Sequence, residues 1–421
     1  MHYCRRRWLS WPLAAIVLPL LAAPSLASSP QFWPTVRSSI EHLVQVAPGI
    51  LYSHYALRTS AGPLSIHHLR LDLSNPSVRL STSLSDDQLI SDNERVSSMA
   101  RRYRAVGGVN ADYFDIGDSG MPLNIMVKDN ELLRSPSQRV ALAIGKDRSV
   151  RIVRYQWEGA IVLPETRQSY WIAGFNTGII PDSLTVLSNA RGYGAPDPGR
   201  ARQTVVELVP GKVSPDSLPP MQLSALASGM GQTAYTVRQV WSQQAFYAPF
   251  PNNEILLVGR GRAAEWLLGN IKAGMAIDVQ LNTVPSWQDM ATVVGGGPLL
   301  VQNGQLVDDP LNPVARERDQ RHPVCAVGIS ADGRTMLLVA VDGRQPRLSI
   351  GLTQPQLAAY MRWLGASQAM EFDSGGSVTM AVRFPGHRAP AVVNSPSDGH
   401  ERPVANALLI FSMPVANRPG G

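Results

Sequence analysis

Residues 336–373 constrain the fold of this chain more than any other stretch. MLLVAV (336–341) is a near-continuous apolar run that stops at Asp342-Gly343-Arg344, as a buried strand does. Thr353 and Gln356 have the spacing of a capping box. Leu357, Tyr360, Met361 and Leu364 then recur at i, i+3, i+4 and i+7, predicting a helix over 353–364 with Gly365 as its C-cap. Residues 369–372 supply a second apolar run, ending at Asp373 and followed by four small residues, Ser374, Gly375, Gly376 and Ser377. Strand, helix, strand at this spacing is a βαβ unit, whose strands run parallel through a right-handed crossover. Their carboxyl ends share one rim, which brings Asp342 and Asp373 together where ligands of open α/β sheets bind.

The remaining chain is rich in strands. IHHLRLDL (66–73), VRLSTSL (78–84), RVALAIG (139–145), SVRIVRY (149–155), GAIVLP (159–164), QTVVELV (203–209) and AIDVQL (276–281) are short alternating or apolar runs between turn residues. Only 92–104 and 353–364 read as helices, and 190–220 reads as a long surface excursion. No fixed-period repeat is visible. The expected fold class is α+β, a sheet-rich single domain with few helices and the βαβ unit near its C-terminus.

The first residues set the compartment. Arg5, Arg6 and Arg7 precede an apolar core from Leu9 to Leu21, and Ser25-Leu26-Ala27 offers a cleavage site. The predicted organisation is a signal peptide over 1–27, an N-terminal extension over 28–65 and the main domain over 66–415. Cleavage removes three basic residues and leaves 35 basic against 32 acidic, a formal charge of +3. Nothing in that balance supports nucleic-acid binding. Cleavage also removes Cys4, leaving Cys325 alone, so no intramolecular disulfide forms. No later segment reaches membrane length, so no stable membrane insertion is expected after cleavage. The expected localisation is periplasmic or secreted.

Several motifs invite chemistry. EILLVGRGRAAEWLLG (254–269) has the glycine spacing of a dinucleotide fingerprint, but the acid expected at the end of the next strand is missing, so it reads as a strand-to-helix turn. Gly117-Asp118-Ser119-Gly120 and Asp373-Ser374-Gly375-Gly376 look like nucleophile segments of serine proteases, yet no histidine has a matching context. His67 and His68 point to opposite faces of one strand and cannot share a metal. Asp112, Asp115 and Asp118 leave a divalent cation possible; no cofactor is otherwise predicted.

Three stretches together resemble one family. Asn110-Ala-Asp112-Tyr-Phe114, then Gly295-Gly-Gly-Pro298-Leu-Leu with Asn303-Gly304, then VDGRQPRLSIGLTQPQLAAYMRWLGASQAMEFDSGGS are similar to the phosphodiester glycosidases. AVVNSPSDGHERPVANAL (391–408) is similar to that family's closing segment, so the likeness spans roughly 66–412. The resemblance implies hydrolysis of a sugar C1–O–phosphate linkage in an envelope or extracellular glycan, with phosphate-linked carbohydrate as the partner. It implies Asp342 and Asp373 as catalytic carboxylates. Arg344 and Arg321 become the leading phosphate partners, with His322 beside Arg321 and Arg402 a weaker choice. Asn110, Asp112 and Asn394 would bind substrate, as would Gly375, Gly376 and Ser377. The family's Pro-Arg-Thr-Ala is here Pro323-Val324-Cys325-Ala326, and its Asn-Leu-Asp-Gly-Gly is Glu371-Phe372-Asp373-Ser374-Gly375. The lost arginine favours the alternative, a non-catalytic envelope protein that binds phosphate-linked glycan.

Overall fold

Apolar runs without alternation need a sheet covered on both faces, and the computed structural model supplies one. It describes residues 33–191, 199, 201–211, 232–245 and 253–413. The segment read as a signal peptide lies outside the described residues, as does most of the excursion at 190–220. An antiparallel sheet of eight strands runs β1 (Val36–Ala47), β2 (Ile50–Thr59), β3 (Pro63–Asp72), β21 (Thr335–Val341), β20 (Val324–Ser330), β22 (Ala366–Glu371), β18 (Leu299–Gln302) and β19 (Gln305–Leu306). One face packs on α3 (Gln354–Trp363), through Leu64, Ile66, Val339, Val341, Leu357 and Met361. Leu69, Leu71, Leu338, Ala340, Val327 and Phe372 point the other way. They meet Val109, Met380, Leu408 and Ile410 from a second sheet, ordered β24 (Ala391–Val392), β23 (Met380–Val382), β5 (Gly107–Asn110), β25 (Asn406–Ser412) and β4 (Val78–Leu84). The outer face of that sheet is covered by α1 (Val96–Arg102), shorter than the predicted 92–104. The result is four layers, helix, sheet, sheet, helix.

The predicted strand–helix–strand unit forms with one difference. β21 and β22 do run in the same direction, but β20 lies between them and pairs antiparallel with both. The carboxyl ends of β21 and β22 therefore still share a rim. Thr353 caps α3 by accepting from the Gln356 N–H, and the Gln356 side chain accepts from the Thr353 N–H. The sheet also runs through the boundary drawn at 65, because residues 36–59 form β1 and β2 and pair onto β3. β1 is exposed along most of its length, which is why its residues carry little apolar signal.

A closed barrel occupies one continuous stretch, in the order β10 (Gln156–Val162), β11 (Ser169–Phe175), β12 (Leu184–Ser188), β15 (Ile255–Arg260), β13 (Gln203–Pro210), β14 (Gln232–Ser242) and β16 (Ala276–Val284). QTVVELV is thus a barrel strand within the predicted excursion. Alternate residues such as Ile161, Ile172, Val206, Leu257 and Val279 fill the barrel core. That core continues into a sheet of β7 (Glu131–Arg134), β6 (Met126–Lys128), β17 (Met290–Gly295), β8 (Val140–Gly145) and β9 (Val150–Arg154). α2 (Arg262–Asn270) follows β15 as the strand-to-helix turn predicted. A Cβ at Gly259 would stand 2.8 Å from the Ala263 carbonyl carbon, so this glycine permits close strand–helix packing. The Arg262 N–H at the helix start donates to Asp182, so a carboxylate already caps that end.

Candidate active site

The rim predicted from the βαβ unit carries two clusters of different character. In the first, Asp342 follows β21 and is 1 % exposed. Its Oδ2 lies 3.3 Å from His67 Nε2, while its Oδ1 accepts from the Ser395 N–H at 2.7 Å and from Asn394 Nδ2 at 3.3 Å. His67 Nδ1 is 2.9 Å from the Tyr52 hydroxyl. Since a carboxylate only accepts, His67 donates from Nε2, and Nδ1 accepts a hydrogen bond from the Tyr52 hydroxyl. Asn394 also accepts from the Met380 N–H and donates to the Val378 carbonyl. The cluster pins the chain after β23 and the loop at 394–395 to the end of β21. Its polar atoms are spent inside the protein.

The second cluster surrounds Asp373, which is half-buried. Asn110 holds this loop, donating to the Asp373 carbonyl at 2.6 Å and accepting from the Thr379 N–H at 3.0 Å. The backbone then turns through Gly375–Ser377, with Gly375 at φ +67 and its N–H on the Pro323 carbonyl. A Cβ at Gly375 would lie 3.2 Å from both terminal nitrogens of Arg344, and one at Gly376 would collide with Arg402 and Asp398. The small residues therefore let two guanidinium groups lie against the loop. Arg402 is held by Asp398 at 2.7 Å and donates to the Ser377 hydroxyl at 3.4 Å.

Acids crowd this cluster. Asp112 is 2 % exposed; its Oδ2 accepts from the Asn124 N–H at 2.7 Å, and its Oδ1 has no hydrogen-bond partner among the described residues. Burial pushes its carboxyl up to about 6, against the Asn124 hydrogen bond and the charges of Arg139 and Arg134. Asp373 is raised to about 7, by desolvation first and by the Asp112 charge as well, against Ser377 and Arg402. The Tyr113 phenol is pushed well above its ordinary value by burial and by the charges of Glu371 and Asp373. The Arg139 guanidinium lies 5.5 Å over the Tyr113 ring, and its Nη1 is buried without a partner among the described residues. A carboxyl held near neutrality beside unsatisfied cations can exchange a proton and receive an anion.

Residues 239–411 match the phosphodiester glycosidase family model. That span holds Arg321, His322, Arg344, Asp373, Gly375, Gly376, Asn394 and Arg402, while Asn110 and Asp112 reach the site from outside it. No curated protein matches the sequence. Among solved structures, a hypothetical protein from Synechocystis superposes with TM-score 0.69 at 18 % identity, covering 89 % of this chain and 64 % of that one. This chain thus spans less than two thirds of its length. An exported-protein candidate from Burkholderia pseudomallei K96243 gives 0.65 at 24 % identity, over 85 % of this chain and 76 % of that one. The zebrafish N-acetylglucosamine-1-phosphodiester alpha-N-acetylglucosaminidase catalytic domain, auto-inhibited by pro-peptide, gives 0.43 at 14 %, over 89 % and 88 %. At these identities the likeness to the first two is one of fold.

The phosphodiester glycosidase motifs divide between the clusters. Asp373, Asp112, Arg344, Arg402, Gly375, Gly376 and Ser377 gather around one loop. The carboxylate oxygens of Asp342 and the side-chain amide of Asn394 are all engaged by hydrogen bonds within the protein. The Asn110 amide is likewise engaged by the loop. Arg321 donates to the Gly351 carbonyl at 2.9 Å, and His322 is buried with Nδ1 donating to the Gln320 carbonyl at 2.9 Å. Burial disfavours the His322 imidazolium, but Glu371, 3.8 Å away, and the Gln320 carbonyl outweigh it and raise its pKa. Val324, where the family carries arginine, is fully buried in the cluster that packs on α3. Arg139 and Tyr113 escaped the sequence reading as candidates. Arg139 opens a strand and has no motif of its own, whereas Tyr113 sat unremarked within Asn110–Phe114. Among the described residues, no group of three or more His, Cys, Asp or Glu is placed to hold a metal ion, and no helix is long and apolar enough to cross a membrane.

Proposed function

We propose that this protein is an exported hydrolase that cleaves a sugar-1-phosphodiester at the C1–O bond. One observation carries the reading: a carboxyl raised to about 7, Asp373, stands on a loop of small residues flanked by Arg344 and Arg402. A phosphomonoester is a good leaving group, so the reaction needs charge stabilisation more than a strong acid. Arg344 and Arg402 hold the phosphate oxygens, with the Gly376 and Ser377 backbone close enough for N–H contact. Asp373 in its ionised form takes a proton from water as the water oxygen attacks C1 and the C1–O bond breaks, releasing sugar and phosphomonoester. Asp112 sets the charge that Asp373 meets, and Tyr113 shields the pair. Asp342 and Asn394 hold the loops in place. Incubation with a panel of sugar-1-phosphodiesters tests the reading; free sugar from wild type but not from Asp373→Asn is expected. Tight phosphodiester binding without sugar release would instead favour a glycan-binding protein, the reading suggested by Val324.

A further inference from the structure

A cavity of about 950 Å³ opens between the end of the barrel and the strap at 134–138 that joins β7 to β8. None of the candidate residues around Asp373 lines it. Its walls combine two features that rarely coincide without a ligand. Two polar atoms of its lining residues are buried without a hydrogen-bond partner among the described residues, the Tyr155 hydroxyl and Arg134 Nε. Two indoles also line it, Trp157 and Trp171, the second standing 53 % exposed on β11. The Trp157 Nε1–H is already given to the Ile172 carbonyl at 2.7 Å, so its role toward an occupant is its apolar surface.

The charge is one-sided. Arg134 and Arg154 line the cavity and no Asp or Glu does. Arg154 is neutralised by Asp309 at 2.8 Å, whereas Arg134 gives only Nη1 to the Asn176 carbonyl and the Met121 sulfur. Burial with the charges of Arg191 and Arg139 nearby lowers the Arg134 guanidinium to about 10, against the pull of Asp112, so an added anion would be welcome. Flat apolar faces with a few fixed donors match a sugar ring, and the guanidinium matches a carboxylate on it.

We propose that this cavity binds an acidic sugar unit, such as a uronate, of a glycan chain. Trp171 forms the stacking face and Arg134 is the carboxylate partner. The naming of a glycan rests on the phosphodiester glycosidase reading above; the cavity and its charge do not. The strap leads directly to Arg139 over Tyr113, so a chain seated here lies one loop away from Asp373.

The test is calorimetric titration of the full protein with trigalacturonate, an alginate trisaccharide and neutral maltotriose, none of which contains a phosphodiester. At least one acidic trisaccharide should bind, with maltotriose at least tenfold weaker. Trp171→Ala should weaken the acidic ligand about tenfold, with circular dichroism confirming its fold. Failure of both acidic ligands, equal binding of maltotriose, or unchanged affinity in Trp171→Ala would overturn the proposal. Asp373→Asn should bind the acidic trisaccharide as wild type does, and loss there would also overturn it. If no phosphodiester is turned over but Trp171-dependent binding persists, the cavity stands and the hydrolase reading falls.

Discussion

The clusters around Asp342 and around Asp373 sit on one rim and use the same residue types, yet they differ in what they leave unfinished. Around Asp342, His67, Tyr52, Asn394 and Ser395 close every hydrogen bond. Around Asp373, Asp112 Oδ1, the Tyr113 hydroxyl and Arg139 Nη1 are all buried without hydrogen-bond partners among the described residues. A folded chain satisfies its buried polar groups unless something else is meant to meet them. That difference is the ground for proposing the Asp373 loop as the site and the Asp342 cluster as its scaffold.

The largest expected effect belongs to the unsaturated side. Asp373→Asn should lower phosphodiester turnover about a thousandfold, within the range of a lost general base. The same variant should be more heat-stable at neutral pH. An acid raised from 3.8 to about 7 binds more protons folded than unfolded, so its folded state loses stability as pH rises through that window. The gain in melting temperature of the asparagine variant should therefore grow from pH 4 to pH 8. A variant that lost turnover but showed no such trend would deny the raised carboxyl.

Arg344→Ala should raise KM for phosphodiesters about ten- to a hundredfold, the worth of a charge-assisted contact. Equal loss of affinity for the free sugar would remove Arg344 from the phosphate site. On the saturated side, Asp342→Asn sets an amide N–H against other donors and should cost about 2–4 kcal/mol of stability. Chemical denaturation measures this. Unchanged stability with abolished turnover would invert the comparison and return Asp342 to the chemistry. The smallest effect is electrostatic. Asp112→Asn removes a negative neighbour of Asp373, so the acid limb of the rate profile should move to lower pH by about one unit. A shift upward would show that Asp112 acts otherwise.

The rim itself could be read from MLLVAV, Thr353, Gln356 and Gly365, because burial on both faces and helix capping are local patterns. That β20 slips between β21 and β22 could not, since either arrangement leaves the two carboxyl ends on the same side. Reading Asp342 as catalytic followed from its place at the rim and from the family resemblance; its partners were hidden, because His67 and Asn394 lie 275 and 52 residues away. Arg139 was invisible for the same reason, an ordinary strand residue until Tyr113 is folded beneath it. β10, β13 and β16 were legible as strands, but barrel closure depends on pairings no short window contains.

One feature of the second sheet bears on how the protein is made. β25, Asn406–Ser412, lies between β4 and β5, which precede it by some three hundred residues. Until that strand is synthesised, two early strands have exposed edges and Asn110 has no finished sheet from which to hold the Asp373 loop. Contacts so distant in sequence slow the final collapse. This sheet, and with it the anchorage of the Asp373 loop, is therefore completed only when almost the whole length of the chain is available.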